Sequence, residues 1–580
     1  AIGFNYLGRL GAAAPTVALS DDLWRPSHDG LSLTDAATAI PMPLGHTVEL
    51  NAATVDTGTG EQLNATWTWA PSALDDDQLS RLGQLWFDAL AGICAHVQRG
   101  GGGLTPTDIA PARLTQRQID DLHQHYRIAD ILPLTPLQQG LLFHANTSGA
   151  EHDVYAMQLD LTVKGPLDPN RLREAVHAVV NRHPNLAARF SSQFDQPIQI
   201  IPAEPAVPWQ YVDLSVNDAD AEDQINPARS TERTAGWDPA CAPVQTMTAD
   251  PVAPWRCVEF DASGFDAEEQ IQRVCAAERA AVCDLTEPPA FRVALIRTAP
   301  ELHRIVLTNH HIVLDGWSLP ILARDIFAGY YGQRLPAAGS YRRFVTWLAE
   351  RDLDAAQAAW REVLAGFETP TLVGPSGWLG GGPRGTTSIR VSADTTQAVG
   401  ELARSCRTTV STVLQAAWAQ VLMRLTGRHD VVFGTAVSGR PTEVTGAESM
   451  VGLLINTVPV RAQVTPTTTV AGLLDQLQSA HNHTLEHQHL ALSEIHRVAG
   501  HKHLFDTIFV YENYPLDTAA LYGNGLAITE IAGREYNHYP LAMVAQPGEE
   551  LGLRVEFDTD VFDTGSIETL TKRFKRVLAA

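Results

Sequence analysis

The feature that most constrains this chain is an alternation of strand and helix patterns, interrupted at two glycine-rich stretches. Runs rich in β-branched and other apolar residues over Tyr155–Val163, His303–Thr308, Asp430–Ala436 and Phe505–Tyr511 read as strands. Between them, apolar residues at helical spacing mark Asn170–Arg182, Ala267–Val282, Ser318–Tyr331 and Val410–Thr426 as helices. Alternation of this kind predicts an α/β class with a pair of lobes. Gly100-Gly-Gly-Gly-Leu-Thr-Pro-Thr reads as a linker, and the loop from Gly374 to Gly385 reads as a flexible crossover. A smaller region precedes them. It has strand patterns over Thr47–Ala53 and Leu63–Ala70, and a helix over Asp75–Val97 with Leu79, Leu82, Leu85, Trp86, Leu90 and Ile93 on one face. The expected divisions are 1–100, a linker over 101–127, a first lobe over 128–370 and a second over 371–580. That fits a chain of 580 residues, too long for one domain of about 150.

Composition narrows the classes of function. With 44% hydrophobic and 19% charged residues the chain can bury full cores. Its net charge of −24 argues against a nucleic-acid partner or an anionic membrane surface, which both require clustered Lys and Arg. No apolar run is long enough to span a bilayer and no signal peptide opens the chain. The six cysteines, Cys94, Cys241, Cys257, Cys275, Cys283 and Cys406, form no C-x-x-C pair and read as reduced thiols of a cytoplasmic protein. The abrupt start at Ala1 and the end inside an apparent helix, Ile567–Ala580, read as a segment of a longer protein.

One local repeat is present. Pro197-Ile-Gln, Pro205-Ala-Val-Pro-Trp209 and Val212-Asp213 recur as Pro243-Val-Gln, Pro251-Val-Ala-Pro-Trp255 and Val258-Glu259. Two copies do not make a solenoid. The expectation is a tandem duplication, with an insert near 216–264, in which one copy keeps its strand position and the other is a surface excursion.

The strongest chemical signal is Asn309-His310-His311-Ile-Val-Leu-Asp315-Gly316-Trp317-Ser318, between the strand ending at Thr308 and a helix pattern. A strand opening into a loop displays side chains at a sheet end, where sites are commonly built. Two adjacent histidines on extended chain face opposite ways, so one can face a channel while the other packs into the wall. Gly316 permits a turn that other residues resist. In a chain with 21 histidines the pair alone is a weak sign of function. No second His-rich cluster supplies a closed ligand set, so no metal site is expected. No G-x-S-x-G elbow is present, which disfavours a serine hydrolase.

These residues do match a known pattern. His310-His311-x-x-x-Asp315-Gly316 resembles the core motif of condensation domains of non-ribosomal peptide synthetases, which share their fold with chloramphenicol acetyltransferase. Leu134-Thr-Pro-Leu-Gln-Gln-Gly-Leu-Leu-Phe-His144 resembles the family's opening motif, and Arg182-His-Pro-Asn-Leu-Ala-Ala-Arg-Phe190 the second. The second departs from its usual form: Leu186-Ala187 stands where Leu-Arg is common, with Arg189 two places on. Tyr341-Arg-Arg-Phe-Val-Thr-Trp-Leu348 with Trp360 is similar to the stretch before the crossover. Asp430 to Arg440-Pro resembles the fifth motif, and Val451-Gly-Leu-Leu-Ile-Asn456-Thr457-Val-Pro the sixth. The resemblance covers roughly Ile128 to Ala580. Phe4-Asn-Tyr-Leu-Gly-Arg9 resembles the last motif of epimerization domains, a sister branch, so residues 1–100 look like the closing fragment of such a domain. The form of the opening motif also resembles the subtype that accepts a D-configured donor.

The resemblance implies two chloramphenicol acetyltransferase-like lobes in a V shape, plus an N-terminal α/β fragment of a related domain. It implies docking by upstream donor and downstream acceptor carrier domains, with epimerization and adenylation domains as neighbours in the parent chain. Each carrier feeds a phosphopantetheine arm to the histidines, and the domain itself binds no cofactor. His311 is the expected channel-facing group and His310 a wall residue. Asp315 is expected in a structural salt bridge with Arg440, Gly316 keeps the loop clear of pantetheine, and Trp317, Ser318 and Asn456 line the site. A free α-amine titrates near 7.7–8.0, so a useful fraction of it is already nucleophilic near neutral pH. Alignment of the two arms can supply up to about 7–11 kcal/mol, and general base catalysis about 10²–10⁴-fold. Both roles remain open for His311 at this point. Three rivals also stand. Epimerization commonly carries Asp-x-x-Ser-Trp, where this chain has Asp315-Gly-Trp317-Ser318. The others are acyl transfer to an amine or alcohol outside an assembly line, and a non-catalytic recruiting module.

Overall fold

The computed structural model describes residues 2–10, 45–57, 60–98, 102–148, 154–215, 267–283, 285, 289–375, 382–513 and 525–579. The chain divides into two compact units, residues 1–103 and 104–580. In the first, strands β1 (Ile2–Leu10), β2 (Val48–Thr57) and β3 (Gly60–Trp69) form a sheet in that order, parallel between β1 and β2 and antiparallel between β2 and β3. Helix Asp76–Gln98 follows, with Leu79 buried and Trp86 edge-on to Trp67 of β3.

The second unit begins earlier than its motifs. Residues 104–127, expected to be linker, hold the helix Gln116–His125, started by a reciprocal Thr115–Gln118 capping box. Ile109, Ala112, Leu114 and Ile119 are buried against Ile128, Ile131, Ile198 and Ile200. Four apolar residues at these spacings have a surface to cover, which explains why the stretch folds.

In chain order the second unit's strands are β4 (Ile128–Pro133), β5 (Ala156–Lys164), β6 (Arg189–Ser191), β7 (Ile198–Pro202), β8 (Trp209–Asp213), β9 (Phe291–Ala299) and β10 (Leu302–His310). They continue as β11 (Arg384–Arg390), β12 (Asp430–Val437), β13 (Asn456–Gln463), β14 (Thr507–Tyr511), β15 (Ala527–Arg534), β16 (Leu541–Gln546) and β17 (Gly552–Asp558). A small antiparallel sheet has the order β4-β7-β6. A five-stranded sheet has the order β15-β5-β10-β9-β8, and a six-stranded sheet β11-β17-β16-β14-β12-β13.

Side chains of β10 alternate between two cores, as the period of two demands. Ile305 and Leu307 join the layer of helices Pro169–Arg182 and Ser318–Tyr330, whereas Val306 packs with Ile271 and Val274 of helix Ala267–Cys283. The six-stranded sheet is covered by helices Val410–Thr426 and Thr564–Ala579, where Trp418 and Phe574 meet Phe433 and Phe509.

One strand joins the two larger sheets. β14 and β16 are parallel neighbours in the six-stranded sheet, yet β15, which lies between them in sequence, leaves for the other sheet and pairs antiparallel with β5. There it covers an edge of β5 that would otherwise present unpaired amides. The first copy of the local repeat forms β7 and β8; the second copy, near 243–259, lies outside the described residues. No helix among the described residues is long and apolar enough to cross a membrane. Cys94, Cys275, Cys283 and Cys406 are free thiols, while Cys241 and Cys257 lie outside the described residues.

Candidate active site

Strand direction assembles the site. β10 and β15 both run antiparallel to β5, on its two sides, and so end together at the start of β5. His310 lies opposite Ala156, and Arg534 opposite Gln158. The next residue of each strand, His311 on one side and Glu535 on the other, therefore emerges at the same sheet end. Tyr155 leads into β5 between them and accepts the His311 backbone N–H at 2.9 Å.

His311 Nε2 lies 3.0 Å from Glu535 Oε1. The imidazole is nearly buried, while Glu535 keeps a third of its side chain exposed. Burial disfavours the imidazolium, but the hydrogen bond and charge of Glu535 outweigh it and raise the His311 pKa above the ordinary value. Burial likewise pushes the Glu535 carboxyl up, and the His311 hydrogen bond and charge, helped by Arg554, bring it below the usual carboxylate range. The two shifts agree: this is an ion pair whenever His311 is protonated. His311 Nδ1 is buried and has no hydrogen-bond partner among the described residues.

His310 is fully buried, and its Nδ1 accepts the Ile312 backbone N–H at 3.0 Å. Gln138 of helix Pro136–Ser148 reaches the same loop, donating its side-chain amide to the Ile312 carbonyl at 2.9 Å. Asp315 is also fully buried. Its carboxylate accepts both terminal nitrogens of Arg440 at 3.0 Å, the Ser318 hydroxyl at 2.7 Å and backbone N–H at 2.9 Å, and the N–H groups of Leu454 and Ile455 at 3.0 and 3.3 Å. Every lone pair of the carboxylate is engaged, so Asp315 is a structural centre with no capacity left for proton transfer.

Two glycines allow this packing. Gly439, at φ +58°, lets Arg440 turn inward, and a Cβ there would sit 1.7 Å from the Leu454 carbonyl oxygen. A Cβ on Gly452 would meet the Tyr341 ring at 2.6 Å, and Tyr341 itself donates to the Leu453 carbonyl at 3.0 Å. Gly316, by contrast, is not among the described glycines at positive φ, which corrects the expectation of a turn closed to other residues. Trp317 is half-buried, with the Arg440 guanidinium 5.4 Å from its ring centre. Ser318 is buried; its hydroxyl donates to Asp315 and accepts the Gly452 backbone N–H at 3.1 Å. Asn456 turns away from the histidine loop, donating to the Gln488 and Leu490 carbonyls at 2.8 and 2.9 Å. Its bonds anchor a loop instead of lining the site. The second motif's Asn185 donates to the Val451 carbonyl at 2.9 Å, while Arg189 lies over the Tyr126 ring at 4.9 Å.

The profile of the Condensation domain family matches residues 128–238 and 233–580. The chain belongs to the condensation domain family. Such domains are amide-forming acyltransferases. The domain is 30% identical over 614 aligned residues to chondramide synthase cmdD of Chondromyces crocatus, spanning 96% of the chain and 14% of that protein. It is 30% identical over 596 residues to vanchrobactin synthetase VabF of Vibrio anguillarum, spanning 99% of the chain and 19% of that protein. The chain thus spans a small part of these relatives. Among solved structures, the first condensation domain of the calcium-dependent antibiotic synthetase superposes with a TM-score of 0.58 at 21% identity, covering 78% of this chain and 96% of that one. The condensation domain of the Monacolin K polyketide synthase MokA gives 0.58 at 17% identity, covering 78% and 97%. The fold of the condensation domain is therefore the mixed α/β, chloramphenicol acetyltransferase-like one.

Motif reading missed the partners contributed from beyond residue 534. Besides Glu535, His538 is hydrogen-bonded through Nδ1 to the Tyr155 hydroxyl, and its ring lies tilted 4.5 Å from the His144 ring. Burial first, then the charges of His144 and Arg384, hold its pKa down to about 3, so the ring is neutral. Behind Glu535, Arg554 pairs with Glu556 at 2.9 Å and with Glu512 at 3.3 Å. The acidic residue Glu535 in Arg534-Glu-Tyr-Asn-His538 was visible only as a charge after an edge strand, with nothing to mark its neighbour. Among the described residues no group of three or more His, Cys, Asp or Glu is placed to hold a metal ion. Chemically, this condensation domain offers one histidine nitrogen for a proton, backed by a carboxylate, on a loop fixed by a buried ion pair.

Proposed function

We propose that the domain forms a peptide bond between a carrier-bound aminoacyl or peptidyl thioester, D-configured at its reacting residue, and the α-amine of a carrier-bound aminoacyl acceptor. The observation that carries the reading is the division of labour in the motif. Asp315 is locked by six donors, Nδ1 of His310 is spent on the loop, and one ring nitrogen of His311 has no hydrogen-bond partner among the described residues. The acceptor amine attacks the donor carbonyl carbon, a C–N bond forms and the C–S bond breaks. His311 takes the proton shed by nitrogen, and the departing thiolate takes it up as thiol. Because the free amine is a competent nucleophile near neutral pH, holding it in line supplies most of the work and the histidine removes the surplus proton.

The D configuration is supported by the form of the opening motif at 134–144 and by the resemblance of residues 1–100 to the end of an epimerization domain. An upstream donor carrier, a downstream acceptor carrier and neighbouring epimerization and adenylation domains in a cytoplasmic assembly line complete the reading. Substrates arrive on phosphopantetheine arms, and the reaction draws on no cofactor held by the domain.

The test is a reconstituted condensation with two phosphopantetheine-loaded carriers. D- and L-terminal donors are offered in turn to the wild-type protein and to His311→Ala. Peptide from the D donor, lost in the variant, supports both parts of the reading. Equal use of both donors removes the stereochemical part, and no peptide from either, with active carriers, removes the function.

A further inference from the structure

His311 and Glu535 are 224 residues apart in sequence, and Nε2 of the one meets Oε1 of the other at 3.0 Å. His311 Nδ1 is closed off from solvent. Nε2 is therefore the ring nitrogen that can meet an acceptor amine, and Glu535 occupies it. We infer that Glu535 binds the acceptor's α-amine as an ammonium ion, and that this exchange of partners releases His311 Nε2 to act as the base. The inference rests on the reading that His311 serves the acceptor amine.

Three carboxylates lie around Arg554, and Glu535 is the one placed to make the exchange. Glu512 and Glu556 pair with the guanidinium at 3.3 and 2.9 Å and are almost wholly buried. Glu535 is paired with His311 and keeps a third of its side chain exposed. The other groups around the pair are engaged elsewhere. Asp315, on the histidine's own loop, is neutralised by Arg440. The Tyr155 ring faces the imidazole from the start of β5, and Arg384 of β11 donates to the Tyr539 carbonyl at 2.7 Å. An α-ammonium titrates near 7.7–8.0, so most of the acceptor arrives charged at neutral pH. One carboxylate neutralises one cation. The arriving ammonium therefore lowers the proton affinity of His311, and the Nε2 proton passes to solvent.

Making an amide from an ammonium sheds two protons, and the pair supplies two bases. The ammonium gives the first proton to Nε2, the amine so freed attacks the donor carbonyl carbon, and the C–N bond forms. As the C–S bond breaks, the imidazolium passes its proton to the pantetheine sulfur. The second proton leaves nitrogen as the amide forms. Glu535 accepts it and hands it to water at its exposed side. The products are one amide, one thiol and one proton in solution.

Single-turnover condensation is measured against pH at saturating acceptor carrier for the wild type, Glu535→Gln and His311→Ala. Two acceptors are compared, a carrier bearing alanine and one bearing β-fluoroalanine, whose α-amine gives up its proton at lower pH. The wild type is expected to show the same acid limb with both, because it takes the ammonium and the limb reports His311. In Glu535→Gln the amine must arrive free. Its rate is expected to fall about tenfold for each unit of pH below the amine's value near 7.7–8.0, and the fluorinated acceptor moves that fall to lower pH. A merely structural role for Glu535 slows both acceptors alike and leaves the limb where it was. A wild-type limb in Glu535→Gln, with His311→Ala inactive, overturns the inference and spares the reading of His311. A limb in the wild type that follows the acceptor's own amine does the same, and needs no variant to fold. An active His311→Ala overturns the underlying reading and the inference together.

Discussion

Arg440 lays its two terminal nitrogens on the two oxygens of Asp315, each at 3.0 Å, with both side chains almost wholly buried. This fork ties the loop after β10 to the loop after β12, and the loop Val451–Ile455 closes over it through Leu454 and Ile455. The histidine loop is thereby fastened to the segments after β12 and before β13 by charge as well as by packing.

Removing either partner strands the other as an unpaired buried charge. Asp315→Ala and Arg440→Ala are each expected to cost about 3–5 kcal/mol. Chemical unfolding midpoints check this. The double variant is expected to cost less than the sum, because the second substitution removes the stranded charge.

Gly439→Ala places a methyl group on the Leu454 carbonyl and an L side chain at φ +58°. The backbone conformation alone costs on the order of 1–3 kcal/mol, and the clash must displace Arg440 as well. The expected result is a lower unfolding temperature with loss of condensation, read by calorimetry and by product formation.

The two histidines separate by assay. His311→Ala is expected to lower single-turnover condensation by about 10²–10⁴-fold with little change in stability. His310→Ala leaves the buried Ile312 N–H without its acceptor, and is expected to cost about 1–3 kcal/mol of stability. Parallel rate and unfolding measurements distinguish them.

Glu556 introduces a pH dependence. Burial pushes its carboxyl up to about 7, against the pull of Arg554 and with a further push from Glu535. Its folded pKa thus lies above the unfolded value of 4.5, so the folded protein holds the proton more tightly. The stabilisation is fully present below 4.5 and is lost as pH rises towards 7. Glu556→Gln, which keeps the shape and neutrality, is expected to flatten that slope in unfolding free energy measured across the interval.

Much of this protein is local in the sequence. The spacing of apolar residues places helices Val410–Thr426 and Ser318–Tyr330 and the body of β10 within a residue or so of their observed ends. His310, His311, Asp315 and Ser318 stand within one short loop because strand end, turn and helix start are contiguous. The chain's own order could not reveal that residues 104–127 would fold onto Ile198 and Ile200, since short apolar stretches do not name their partners. Nor could it show that Asn456 faces the Gln488 and Leu490 carbonyls, because a polar residue in a motif carries no direction.

Sequence by itself determined the α/β class, the condensation domain family and the loop that bears the histidines. The class rests on periodicity, and the family and the loop rest on the resemblance of short motifs. Tertiary structure decided which residues face that loop. β15 crosses to the first sheet and brings Glu535 to His311, while Gly439 and Gly452 leave room for Arg440 and Tyr341. Those contacts depend on strand register and on space between distant segments, and both are set only when the sheets close on each other.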